Sequence, residues 1–178
     1  LRDEYPDKFL WIELGLQTIH EDTARYIRRG YPLSCFEQAC ADLKALQIPF
    51  IVHTILGLPG ETNIQLLQTM DYLNRIQPFG IKLQLLHVLK GTDLADDYLA
   101  GKFEALTFDA YIDLVISCLA HLSPDIVIHR VTGDGPKDLL IAPLWASRKR
   151  EVLNLLHHRM KERASFQGKA LEALSRSQ

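Results

Sequence analysis

Glu13, Gly15 and Gln17 alternate along the chain with the aliphatic residues Leu10, Ile12, Leu14 and Leu16. Alternate residues of a strand share a face, so this segment sets a carboxylate and an amide side by side, opposite an apolar surface. Such groups hydrogen-bond a polar ligand best where water is excluded. Arg29 follows Gln17 by twelve residues. Its guanidinium can fork onto a carboxylate through two charge-assisted bonds, and it reads equally as a surface cation at a helix C-terminus. His53 stands inside an apolar run, where a lone histidine is commonly a satisfied core residue. Gly57 and Gly60 permit positive φ and close backbone approach, and Pro59 stiffens the loop between them. No Gly-Lys-Ser/Thr follows, so this is not a nucleotide phosphate loop. His87, Lys90, Thr92, His129, Arg130, Asp134 and Lys137 collect polar function at expected strand ends. They are the candidate substrate contacts, each also readable as a solvated loop residue, and Thr132 to Pro136 reads as a turn. Cys35, Cys40 and Cys118 are too few for a zinc tetrad or a disulfide framework, so no metal-ligand set is expected.

The elements that must position these residues alternate regularly. Strands are predicted over 9–16, 50–56, 80–89 and 126–131. Helices are predicted over 22–29, stopping at Gly30; from a Ser34-Cys35-Phe36-Glu37 capping box to about Leu46; and along Ile64, Leu67, Met70 and Leu73. A turn at Lys90-Gly91-Thr92 leads to a short helical stretch over 93–100. Thr107 caps a helix reaching Leu122, and an amphipathic helix over 147–164 carries Val152, Leu153, Leu156 and Met160. Strands separated by helices require crossovers and hence parallel pairing, with ligands at the C-terminal strand ends. The expected architecture is an open parallel half barrel with helices on one face, whose first strand is an unpaired edge that invites dimerisation. Trp145 is expected to anchor the tail by burying its ring.

With 178 residues, 47% of them hydrophobic, and a net charge of -2, the chain reads as one ordinary globular domain with a sizeable core. Disorder and collagen-like structure are excluded. No apolar run approaches the roughly 18 residues of a membrane span, and the sparse cysteines suggest a reducing, cytoplasmic location. Charge is unevenly placed. Residues 145–178 carry eight Lys+Arg against three Asp+Glu, and residues 1–144 carry twelve against nineteen. Arg148, Lys149, Arg150, Arg159, Lys161 and Arg163 line the predicted tail helix and can neutralise phosphates, or form a solvated face.

The runs Trp11-Ile12-Glu13-Leu14-Gly15-Leu16-Gln17-Thr18, Ile27-Arg28-Arg29-Gly30 and His53-Thr54-Ile55-Leu56-Gly57-Leu58-Pro59-Gly60-Glu61 resemble radical S-adenosylmethionine enzymes. The resemblance is to the second half of that superfamily's partial (β/α) barrel, on the branch shared by the Elongator catalytic subunit and coproporphyrinogen dehydrogenases. Val131-Thr132-Gly133-Asp134-Gly135-Pro136, Ala142-Pro143-Leu144-Trp145 and Phe166-Gln167-Gly168 are similar to bacterial YhcC/YtqA-type proteins. The implied fold is α/β: the C-terminal half of a partial TIM-like barrel with parallel strands and outer helices over 1–144, and a basic helical extension over 145–178.

The resemblance also implies roles. Gln17 and Arg29 would help hold the methionyl part of S-adenosylmethionine, with Glu13 on the same face. His53 would meet the ribose, Gly57 the adenosyl group, and Val88 and Leu89 would flank adenine. The superfamily carries a four-iron four-sulfur cluster on a Cys-x3-Cys-x2-Cys loop after the first barrel strand. No such triplet occurs here. The cluster ligands are therefore expected upstream, in a longer protein whose fourth strand lies near the start of this chain, and the piece alone is expected to be inactive. Elongator-type relatives act on the wobble uridine of transfer RNA, so a transfer RNA gripped by the basic helix is the expected partner, with no membrane. The competing readings are a non-catalytic RNA- or protein-binding module and a conventional phosphate-binding barrel fragment. The latter is disfavoured because no catalytic lysine or phosphate loop stands out.

Overall fold

The computed structural model describes residue 4 and residues 7–133 and 135–175, with side chains as far as 172. Four strands form the main sheet: β1 (Ile12–Gln17), β2 (Phe50–Leu56), β3 (Gly80–Leu85) and β5 (Val127–Arg130). Their order is β1-β2-β3-β5, and every neighbouring pair is parallel. The crossovers are α1 (Glu21–Tyr26) with α2 (Leu33–Ala45), then α3 (Asn63–Ile76), then α4 (Asp93–Leu99) with α5 (Phe108–His121). A second, antiparallel sheet pairs β4 (Val88–Leu89) with β6 (Leu140–Ala142). A 3-10 turn at Leu144–Ser147, α6 (Lys149–Glu162) and α7 (Lys169–Ser175) complete the chain.

One face of the sheet carries the core. Phe50, Val52 and Leu56 of β2 and Ile81, Leu83 and Leu85 of β3 are buried against Phe36 and Cys40 of α2, Met70 and Leu73 of α3, and Ile112 and Val115 of α5. Val152 and Leu156 of α6 join the same cluster, so the helix after Trp145 is packed into the barrel's own core. Trp145 packs on Phe108 and Tyr111 at 5.3 Å and donates its indole N–H to the Leu106 carbonyl at 3.0 Å. Gln167 holds the end of the tail by donating its amide to the Ser123 and Ile126 carbonyls, each at 2.7 Å.

Several local expectations are corrected. The first strand starts at Ile12, not Phe9, because its ladder ends where the Ile12 N–H meets the Pro49 carbonyl. Phe9 and Trp11 instead form an exposed ring contact that Phe9 extends to Phe79. The helix expected over 22–29 ends at Tyr26, because Arg28 adopts a left-handed φ of 56° and Arg29 N–H reaches back to the Ala24 carbonyl. Ser34 caps nothing. It lies inside α2, whose Leu33 N–H is taken by the Glu21 carboxylate at 2.5 Å. The capping box occurs instead at Thr62 and Gln65 of α3, which leaves Ile64 71% exposed and turns Leu66, Thr69, Met70 and Leu73 inward. The strand expected over 80–89 is two strands in two different sheets. β6 and α7 lie in stretches with no predicted element. No described helix is long and apolar enough to cross a membrane.

Candidate functional site

At the C-terminal end of β1 the ladder slips: Gly15 pairs with His53 but Gln17 pairs with Thr54. This bulge places Gln17 at φ 59°, a left-handed conformation uncommon for a residue with a side chain. The Gln17 amide folds back over Gly15, where any Cβ would lie 2.5 Å from Gln17 Nε2. Arg29 holds the distortion. Its side chain is only 1% exposed, and Nη1 donates to the carbonyls of Leu16 and Thr18 at 3.2 and 2.7 Å, on either side of Gln17. Nε donates to the Tyr31 carbonyl at 2.9 Å, and Nη2 meets Glu21 at 3.0 Å. Arg29 is therefore a buried clamp and not a surface cation, with one Nη2 N–H left for a ligand.

Gln17 faces a cleft of about 780 Å³, in the usual range for a small-molecule site. Ile55, Leu58 and Leu86 supply its apolar wall, and Arg28, Tyr31 and Thr92 supply polar groups. Its rim is tied across by Arg28 to Asp93 and by Tyr26 Oη donating to Asp97 at 2.6 Å. Among the described residues, two buried side-chain polar atoms lack a hydrogen-bond partner: Gln17 Oε1 and His87 Nε2. Orphaned buried polar atoms are rare in folded chains, where a protein group, a water, an ion or a ligand ordinarily satisfies them.

Further down the uncovered face of the sheet, Glu13, His53, Lys82 and Gln84 are joined in one network. Lys82 Nζ donates to both Glu13 oxygens at 2.7 and 2.6 Å, and His53 Nε2 lies 2.7 Å from Glu13 Oε2. Gln84 Nε2 lies 3.2 Å from His53 Nδ1, so a neutral ring with its proton on Nε2 satisfies both contacts. The Lys82 hydrogen bond, more than the one from His53, holds the Glu13 carboxyl down at about 2, against an ordinary 4.5. A depressed carboxyl contributes stability above its unfolded value and loses it as pH falls toward the folded one. Glu13→Gln is therefore expected to lower the urea midpoint near neutrality, with the difference from wild type narrowing between about pH 4.5 and 2. A constant difference across that range would remove Glu13 from the acid response.

A second cleft, of about 520 Å³, lies between His87, Gly133, Gly135, Lys137 and the first turn of α6. Burial, and then the charge of Lys149, lower the His87 pKa. A third, of about 410 Å³, is lined by His129 and Arg130 of β5 together with Leu153, His157 and Met160 of α6.

The expected site residues are thus dispersed. Gln17 and Arg29 meet at the first cleft, joined by Thr92, which was expected on the substrate side and also caps α4. Glu13 and His53 lie outside its lining, in the network below. Gly57 has φ 83°, but the group crowding its Cα is the Leu106 side chain. Val88 is fully buried in a small cluster with Ala95 and Ala142, and neither it nor Leu89 lines the cleft; Leu86 takes that place. Lys90 ties the antiparallel pair of β4 and β6 by donating to the Asp138 carbonyl. Asp134 lies outside the described residues. The basic face of α6 is partly consumed. Arg159 is paired with Asp109 and Asp113, and Arg163 with Asp113. Lys82, Gln84, Tyr31 and Leu86 were missed. Lys82 and Gln84 alternate with buried leucines and sit opposite His53 and Ile55, a register that β2 and β3 share.

Two family descriptions tile the chain: Radical SAM superfamily over residues 3–73 and Radical SAM C-terminal domain over residues 78–162. The chain belongs to the radical SAM superfamily. It is 40% identical over 166 residues to YtqA of Bacillus subtilis, covering 93% of this chain and 52% of that one. To YhcC of Escherichia coli K12 it is 32% identical, covering 82% and 48%. Elongator complex protein 3 of Saccharomyces cerevisiae is 27% identical over 79% of this chain and 26% of its own. The fold is shared with the archaeal Methanocaldococcus infernus Elp3 carrying an N-terminal deletion, at a TM-score of 0.77 and 17% identity over 88% of this chain and 37% of that one. The chain spans about half the length of YtqA and YhcC.

The superfamily implies S-adenosylmethionine and an iron–sulfur cluster in general, and the residues fit only the first. Gln17 offers a buried acceptor without a partner, beside the apolar wall of Ile55, Leu58 and Leu86. Cysteine ligation requires thiolates. Burial pushes the Cys40 and Cys118 thiols up to about 11 and 12, and Cys35 is exposed on α2. No group of three His, Cys, Asp or Glu among the described residues can hold a metal.

Proposed function

We propose that this chain is the cofactor- and substrate-binding half of a radical S-adenosylmethionine enzyme that modifies a transfer RNA base, and that it is inactive alone. The single observation that carries the cofactor reading is the orphaned Gln17 oxygen, held by a clamped bulge in a cleft at the C-terminal strand ends. When bound, S-adenosylmethionine with its cluster supplies abstraction of an unreactive hydrogen. The chain's residues bind and orient. Gln17 Oε1 accepts from the methionyl ammonium, Arg29 keeps Gln17 in place, and Leu58 and Leu86 exclude water from the purine. Cluster ligands belong to another segment of a longer protein, which continues the sheet at the free edge of β1. In the isolated chain the same edge pairs two copies. Support for transfer RNA comes from the likeness to the Elongator branch and from the run of cations Arg148, Lys149 and Arg150 at the start of α6.

The test begins with calorimetry of S-adenosylmethionine against the chain and its Gln17→Ala variant, where about a tenfold loss is expected. Unchanged affinity would sink the cofactor reading. Reconstitution with iron and sulfide is expected to give no stoichiometric four-iron cluster. A cluster ligated by Cys35, Cys40 and Cys118 would overturn the division of labour. Transfer RNA affinity is expected to fall with salt and with joint replacement of Arg148, Lys149 and Arg150 by alanine. Indifference to both would remove RNA as the substrate.

A further inference from the structure

The second orphaned atom, His87 Nε2, marks a site of its own. His87 follows β3, and Gly133 and Gly135 follow β5, so this cleft opens at the mouth of the sheet but shares no lining residue with the Gln17 cleft. Both glycines bring the backbone close to the ring. A Cβ at Gly135 would lie 2.7 Å from His87 Nδ1, and one at Gly133 would lie 2.9 Å from its Cε1. Two glycines thus lie against one imidazole, whose buried Nε2 has no partner.

Cations dominate the remaining lining. Lys137 stands on one side, and Arg148, Lys149 and Arg150 stand on the other, at the start of α6, where no side chain caps the helix. Among the described residues, the lining carboxylate is Glu151, which is 3.0 Å from Arg148, so cations outnumber carboxylates in the described lining. We propose that this cleft binds a phosphate group of the substrate, with His87 Nε2 donating to one oxygen and Lys137 and Arg150 pairing with the others. Cations of both kinds match the ligand, and the open cleft admits a phosphate that remains attached to a larger molecule. The proposal deepens the substrate reading and rests on it only for the source of the phosphate, an RNA backbone or a small phosphate ester.

Inorganic phosphate titrated into the 178-residue chain, followed by the histidine ring resonances, tests it directly. The expected result is a saturable shift of the His87 Hε1 signal, with His20 and His53 unmoved. Lys137→Ala and Arg150→Ala each alter a solvent-exposed side chain and are expected to weaken phosphate about tenfold. Gly135→Ala is expected to displace the ring and abolish the response. Transfer RNA and ribose 5-phosphate are then added in separate arms; whichever reproduces the shift at lower concentration identifies the source. An unmoved His87 signal, or wild-type affinity retained in both Lys137→Ala and Arg150→Ala, overturns the site. A shift with inorganic phosphate that neither organic phosphate reproduces reduces it to an adventitious ion site and overturns it as well. S-adenosylmethionine calorimetry on the same samples reports the Gln17 cleft separately, so failure here is distinguishable from failure of the cofactor reading.

Discussion

Arg29→Ala is expected to destabilise the chain by about 3 kcal/mol, because the carbonyls of Leu16, Thr18 and Tyr31 and the Glu21 carboxylate lose their donor together. The loss should be read as a fall in the urea midpoint at unchanged slope. Arg29→Lys should recover only part of it, since an ammonium cannot serve four acceptors lying in the fork of a planar guanidinium. The functional effect should be larger than the stability effect suggests. Gln17 sits at φ 59° between two of the clamped carbonyls, and without the clamp the bulge relaxes to ordinary extended backbone. S-adenosylmethionine affinity is therefore expected to fall in Arg29→Ala and to be unaffected in Lys90→Ala, whose ammonium meets the Asp138 carbonyl away from the cleft. A stability loss under about 1 kcal/mol would show that water satisfies these carbonyls and that Arg29 is free to meet a ligand instead.

Gly57→Ala is expected to cost a comparable amount, about 3 kcal/mol, from two separable sources. The first is backbone strain, because φ is 83° at this position. The second is overlap, because the new methyl would fall 2.7 Å from Leu106 Cδ1. Leu106 links the end of β2 to the tail, since its carbonyl accepts the Trp145 indole N–H. Truncating it separates the sources. Leu106→Ala alone should cost about 2 kcal/mol, and the double variant should be less destabilised than the sum by about 1–2 kcal/mol. Strict additivity would mean that the side chain swings away freely and that glycine is needed for its φ alone.

Segments governed by short-range periodicity were legible in the sequence. The bounds of β2, Phe50–Leu56, match because its residues face a helical layer along their whole length. Thr107 caps α5 as its position before an amphipathic run implies. The parallel order of four strands followed from their separation by helices. The run from Leu85 to Leu89 was not legible, because a continuous apolar stretch looks the same whether one strand or two sheets bury it. Only the partner decides, and Val88 finds Ala142 some fifty residues further along the chain. Ser34 has the composition of a cap, but Glu21 reaches the helix first, and that competition depends on how α1 is placed.

The same division runs through the site. That Gln17 and Arg29 belong together could be read from type and spacing with the family resemblance, because both belong to one strand-turn-helix unit. What Arg29 does there could not. A guanidinium can serve carbonyls or a carboxylate equally well, and the bulge in β1 turned the carbonyls of Leu16 and Thr18 toward it. Glu13 and His53 were recognised singly, whereas their partners Lys82 and Gln84 are set by the register of β3 against β2. His87 and the two glycines around it are brought together across the whole crossover from β3 to β5. By itself the sequence determined the layers and the local elements, because their periodicity is written in neighbouring residues. The tertiary structure alone decided which polar groups are satisfied and which remain open to a ligand, because hydrogen-bond satisfaction depends on partners that only packing brings within reach.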